Sequence, residues 1–199
     1  MGEVECYNPI LNQALAFTSY PTSISIHRRV NLDFFIGQNT PWFLDSELSG
    51  GIVVDLMIHD LSLLIQKFGK PTIKNVKGTQ NIYSDTDEVE VILKFKYFEA
   101  NLYADWCSQN KENPISVIWQ VEQDLEIKNF ISQDYLKSLS LEVDPYYIQD
   151  KYFLLNLKMA FQDNKVNLTT FHNPLETYLQ AVEVADEIKN QINNKKQSF

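Results

Sequence analysis

The stretch SGGIVVDLMIHDLSLLIQKFG, residues 49–69, places an acid and an imidazole, Asp55 and His59, four residues apart in an otherwise apolar run. On a helix such residues share a face and their side chains can meet. A carboxylate beside an imidazole favours the charged ring and fixes its orientation. A general acid or base needs both a pKa near neutrality and a defined tautomer. The same spacing also suits a core histidine whose hydrogen-bond partner is the aspartate one turn earlier, and spacing alone leaves both readings open. Gly50 and Gly51 open the segment and permit backbone angles or close approaches denied to other residues. Ser46 and Ser49 are nearby candidates for a helix cap. A metal centre is not expected, because no third and fourth ligand stands out.

Other residues carry weaker signals. His27 and Arg29 fall on one face of the alternating run TSISIHRRV (22–30), together with Ser23 and Ser25, while Ile24, Ile26 and Arg28 fall on the other. That pair is either a solvated edge or a site where Arg29 meets a phosphate or carboxylate. His172 reads as a surface or capping residue, and Trp42, Trp106 and Trp119 as core or interface. The sequence has no GxGxxG after a strand, no GxxxxGK[ST] and no GxSxG elbow. Neither cysteine, Cys6 or Cys107, has the neighbours of a nucleophile.

The elements that must position these residues follow from periodicity. Asn8 and Pro9 before ILNQALAF predict a capped short helix. The strand at 22–30 follows, then a long loop over 31–48 with Gly37, Pro41 and Trp42, of the kind that is often functional. The helix around 50–68 ends at Gly69, Lys70 and Pro71. The period then becomes two, and TIKNVKGTQNIY, DEVEVILKFKY, EANLYADWCS, ISVIWQVEQ and LEIKNF predict an antiparallel meander. Helical spacing returns in PYYIQDKYFLLNLKMAFQ and PLETYLQAVEVADEIKNQI, and residues 193–199 read as a frayed tail. The predicted fold is α+β: an open, mostly antiparallel sheet with helices packed on one face. A sheet so rich in Ile, Val, Phe and Trp calls for cover on its second face, from a partner domain or a second copy.

Composition bounds the rest. The 199 residues suit a single domain with a substantial core. A net charge of −9 and no Lys/Arg stripe argue against nucleic acid and anionic membrane as partners. No apolar run approaches the roughly 18 residues of a spanning helix. The N-terminus lacks a signal-peptide pattern, and two cysteines without a motif point to a cytoplasmic protein.

The stretch WFLDSELSGGIVVDLMIHDLSLLIQKFGKP (42–71) resembles the signature of the Gfo/Idh/MocA oxidoreductases, W-x-x-D-x-x-x-S-G-G-x-x-x-D-x-x-x-H-D-x-D. Trp42, Asp45, Ser49, Gly50, Gly51, Asp55, His59 and Asp60 match it, and Ser62 departs from it. GEVECYNP (2–9) resembles the stretch joining the family's two domains, so residues 1–20 read as what remains of that connection. The resemblance covers residues 1–199 as the family's C-terminal domain alone, a dihydrodipicolinate reductase-like open sheet that supplies the substrate site and oligomer contacts. It implies an N-terminal Rossmann domain binding NAD or NADP, absent here together with its glycine-rich loop and catalytic E-K-P lysine. It implies Asp55 and His59 as the catalytic pair, His59 moving the hydroxyl proton and Asp55 orienting it or the substrate. His27 and Arg29 would contact substrate, and no residue here would bind cofactor or metal. The implied function is half of an NAD(P)-dependent dehydrogenase of a sugar, polyol or nucleotide sugar. It would be inactive without a Rossmann partner, on the same or a separate polypeptide, and would form a homodimer through the sheet face. The family's inositol dehydrogenases carry an arginine pair where this chain has Glu5 and Cys6. The alternative is a non-catalytic binding or oligomerisation module, a remnant of a split gene.

Overall fold

The computed structural model describes residues 8–36, 45–79, 82–132, 154 and 174–196. The expected helix over 145–162, His172, Trp42, Glu5 and Cys6 lie outside the described residues, Leu154 apart. Helix α1 (Pro9–Phe17) starts where the sequence predicts, because the Asn8 side-chain oxygen accepts the backbone N–H of Ile10 at 3.0 Å and of Leu11 at 3.3 Å. Strand β1 (Ser23–Val30) follows. The expected long loop over 31–48 contains two short helices, α2 (Leu32–Ile36) and α3 (Ser46–Ser49).

Next come a π-helical segment (Val53–Met57) and helix α4 (Ile58–Phe68), so the expected helix around 50–68 is not uniformly α-helical. By length and composition, the helical stretch Ser46–Phe68 is apolar enough to cross a membrane, contrary to the sequence expectation. Most of that apolar surface is instead buried within the protein. Leu61, Leu63 and Leu64 are at most 2% exposed, and each such burial contributes roughly 2 kcal/mol.

Five strands follow: β2 (Thr72–Thr79), β3 (Glu88–Lys94), β4 (Glu99–Asp105), β5 (Ile115–Gln123) and β6 (Glu126–Ile131). They do not form an uninterrupted meander. The six-stranded sheet has the order β2-β3-β4-β1-β5-β6. The first strand is inserted between β4, to which it runs parallel, and β5, to which it runs antiparallel. Every other neighbouring pair is antiparallel. The result is an open, mostly antiparallel sheet. Hairpin pairing favours β4 beside β5, but the nine-residue connection between them leaves a gap that β1 fills.

Alternation decides which face is covered. Ile24 and Ile26, Val89, Val91 and Leu93, Leu102, and Val117, Trp119 and Val121 all face inward and are at most 3% exposed. Trp106 and Trp119, expected in core or interface, are both core at 1% and 0% exposed. Helix α1 packs over β5 and β6, with Phe17 against Phe130. Helix α4 ends over the β3–β4 turn, where Phe68 meets Phe95 and Phe98. Helix α5 (Pro174–Lys196) packs on α4 and β2. It runs through residues 193–196 rather than fraying there: Lys195 Nζ donates to the Val76 carbonyl at 2.6 Å, and Lys196 Nζ bonds the Asp85 carbonyl.

Candidate active site

The parallel pairing of β1 with β4 brings their C-terminal ends together, continued by a bridge between Asn31 and Cys107. The π-helical segment packs against β4 at this end. What holds it there is a tight turn built from residues of the sequence signature. Asp45, and neither of the expected serines, caps α3: its carboxylate accepts the N–H of Glu47 at 2.9 Å and of Leu48 at 3.3 Å. Ser49 Oγ donates to the Asp45 carbonyl and accepts the Gly51 N–H at 2.9 Å. Gly50 ends α3 with φ at +81°, and a Cβ there would sit 2.5 Å from the Val54 side chain. The glycine is required twice, by its left-handed backbone and by the space.

The turn delivers Asp55 onto the π segment, in which the Ile58 N–H reaches back five residues to the Val53 carbonyl. Such turns are rare and frequent at functional sites. Asp55 and His59 therefore span a π-to-α junction instead of the ideal helical spacing expected, yet they still interact electrostatically. Both are half-buried, so the pair reaches the surface rather than facing a closed interior. Burial pushes the Asp55 carboxyl above its ordinary range, while His59, the Trp106 indole N–H and Arg28 each pull it down without cancelling that effect. The Trp106 N–H approaches this carboxylate without the geometry of a well-formed hydrogen bond. A carboxyl raised in this way is a better proton acceptor than a solvated one.

Asp60, the next residue after His59, is 2% exposed and fully engaged. Arg28 Nε donates to its Oδ2 at 2.7 Å and Arg28 Nη2 to its Oδ1 at 2.9 Å. Trp119 Nε1 donates to Oδ1 at 3.1 Å. Sequence reasoning assigned no role to Arg28 or to this pairing, although an arginine on the apolar stripe of Ile24 and Ile26 was the available signal.

His27 and Arg29 lie on the opposite face of the sheet from Asp55, His59 and Arg28, and the structure does not bring the four expected site residues together. Nor is β1 an edge strand, since it has a neighbour on each side. His27 packs on Tyr103 at 5.6 Å between ring centroids, and the Arg29 guanidinium lies 5.6 Å from the same ring. Burial and the nearby Arg29 lower the His27 pKa, with Glu90 acting against them. Burial, then Asp105 and Glu88, push the Tyr103 hydroxyl up to about 12.

Among the described residues no cluster of three or more His, Cys, Asp or Glu could hold a metal ion. Among the described residues no strand runs into a glycine-rich turn and a helix, the usual cradle for a dinucleotide pyrophosphate, and Gly50 and Gly51 follow the short helix α3 instead. The half-buried acid and imidazole suit proton handling and substrate positioning, and they do not fit the cofactor itself.

Residues 21–127 match the GFO/IDH/MocA C-terminal domain. No curated protein matches the chain. Among solved structures, GenD2 from gentamicin A biosynthesis, in complex with NAD, is 15% identical with a TM-score of 0.71, and the match covers 98% of this chain and 61% of that one. A myo-inositol dehydrogenase from Corynebacterium glutamicum is 15% identical with a TM-score of 0.69 over 98% and 62% of the two chains. A dehydrogenase (MviM) from Clostridium difficile is 14% identical with a TM-score of 0.59 over 96% and 61%. At these identities the likeness is one of fold, and the chain spans about three-fifths of each of these structures. The family match covers more than half of the 199 residues, and the chain belongs to the Gfo/Idh/MocA oxidoreductase family as its C-terminal domain.

Proposed function

We propose that this Gfo/Idh/MocA chain is the substrate-binding half of a cytoplasmic NAD(P)-dependent dehydrogenase that oxidises a secondary alcohol of a sugar or nucleotide sugar. The observation that carries this reading is the half-buried Asp55 and His59, electrostatically coupled at the sheet end within the family's signature. In this reading His59 accepts the hydroxyl proton as the C–O bond becomes a carbonyl. Asp55 orients the ring or a second hydroxyl, and its burial keeps it a competent proton partner. Nicotinamide, held by a Rossmann domain that these residues do not include, supplies the hydride acceptor. Phe34, Ile36 and Leu48, on the short helices before the site, are exposed apolar side chains suited to docking that domain. His27 and Arg29, on the far face, are proposed to contact substrate only where a second copy brings its site to that face. Glu5 and Cys6, in place of an arginine pair, weigh against an inositol-type substrate.

The test is binding by the 199-residue chain, read by saturation-transfer NMR with aldohexoses, a nucleoside-diphosphate hexose and myo-inositol as probes. The expected result is binding of a hexose or nucleotide hexose that His59→Ala abolishes. Binding that survives His59→Ala with the fold intact, or no binding by any probe, overturns the reading.

A further inference from the structure

We infer that Arg28, Asp60 and Trp119 form a buried clamp that positions the Asp55–His59 pair, with Arg28 gripping Asp60 at two points and Asp60 fixing the rotation of α4. The inference rests on the functional reading only in calling that pair a site. Its geometry stands by itself.

Asp60 immediately follows His59, so the angle at which α4 presents His59 is set by whatever holds Asp60. Three donors from two strands hold it: Arg28 Nε at 2.7 Å and Nη2 at 2.9 Å from β1, and Trp119 Nε1 at 3.1 Å from β5. A guanidinium bound to a carboxylate at two points fixes orientation as well as distance, which a single contact cannot do. With both oxygens occupied, Asp60 is a positioning residue and not a proton carrier. Stability alone does not explain the pair. Apolar residues of similar volume often serve as well or better in a buried position, because desolvating two charges offsets their attraction. Both side chains are at most 4% exposed, on a stripe otherwise made of Ile24 and Ile26.

Arg28 also acts on the site through space. Among the described residues, the groups acting on Asp55 are His59 from its own helix, Arg28 from β1 and Trp106 from the end of β4. Of these, Arg28 is the one whose charge does not change at working pH. It therefore holds Asp55 toward its ionised form whatever the state of His59.

The full chain tests this without any assay of activity. Asp55 is titrated by carbon NMR of its carboxyl, and the His59 ring is followed in the same samples. In the double variant Arg28→Met with Asp60→Leu, the Asp55 midpoint rises and the His59 ring resonances move. A folded double variant with the wild-type midpoint and wild-type resonances overturns the clamp. If the double variant does not fold, Arg28→Lys decides. It keeps the charge and loses the two-point contact, so the His59 resonances shift while the Asp55 midpoint moves little. Unchanged His59 resonances in Arg28→Lys overturn it. The sugar-binding test runs in parallel: absent binding with these shifts present removes the functional reading and leaves the clamp.

Discussion

On the sheet face that carries the helices, Ile24, Ile26, Val91, Leu102 and Trp119 pack around one buried ion pair, Arg28 with Asp60. On the other face the same strands present Ser23, Ser25, His27 and Arg29, then Tyr103, then Glu88 and Glu90. Charges there interact sideways with their cross-strand neighbours. Asn101 donates to Glu90 at 3.2 Å, Ser23 to Glu122 at 2.7 Å, and Arg29 lies over Tyr103. Arg28 and Arg29 are adjacent in sequence and sit in opposite physical worlds, one 3% exposed and the other open to solvent. A charge on the covered face must be fully partnered, whereas a charge on the open face is free to exchange partners with water.

The sharpest way to break that comparison is to remove one charge from each face. Asp60→Ala leaves Arg28 buried with its carboxylate gone and is expected to cost roughly 3–5 kcal/mol of stability. Glu90→Ala, on the open face, is expected to cost less than about 1 kcal/mol. Urea denaturation of both variants gives the answer, and equal losses would remove the distinction. Gly50→Ala is the next largest: a Cβ placed 2.5 Å from Val54 at a φ of +81° is expected to cost roughly 1–3 kcal/mol. It should also blur the Asp55 and His59 resonances, because the turn that aims them shifts.

A control away from both faces lies in the β5–β6 hairpin. Its turn residues Asp124 and Leu125 have φ of +50° and +72°, and Leu125 is 94% exposed. Leu125→Gly relieves a left-handed backbone and is expected to stabilise by about 1 kcal/mol in thermal melts.

The finest distinction is in pH. Burial raises Asp55 above its unfolded value of 3.8, so its contribution to stability is full below that pH and is lost as pH rises through the folded value. Asp55→Asn should therefore be more stable than wild type near neutrality. Burial and Arg29 lower His27 below its unfolded 6.5, so its contribution is full above that pH and is lost as pH falls through the folded value. His27→Gln should flatten the loss of denaturant midpoint between neutrality and mildly acid pH. Asp55 and His27 thus carry titrations of opposite slope, and parallel slopes would contradict the assignment.

Local signals were legible where local physics decides. Asn8 before Pro9 marked α1, the two-residue period marked each strand, and Val89, Val91 and Leu93 marked the covered face. The signature placed Asp55 and His59 on the helix that bears them. Strand order was not legible, because β1 pairs with residues some 70 to 100 positions away and periodicity carries no information about which strands are neighbours. The face of His27 and Arg29 was read correctly from alternation, but their separation from His59 required knowing on which side α4 packs. The apolar content that seemed to demand cover for the second face is concentrated on the first, where both Trp106 and Trp119 point. The π segment had no signal in VVDLM, since one extra residue per turn is fixed by the tertiary fit beside Gly50.

The place of β1 in the sheet has a consequence for how the protein is made. A ribosome releases β1 first, yet neither of its hydrogen-bonding edges finds a mate until residues 99–105 and then 115–123 have emerged. The hairpins on either side can close as they are synthesised, while the oldest strand waits, its Ile24 and Ile26 uncovered. Assembly therefore ends when the β5–β6 hairpin closes on the remaining edge of β1. That step is the slow one expected of long-range pairing, and it is where chaperone dependence or aggregation of the newborn chain would concentrate.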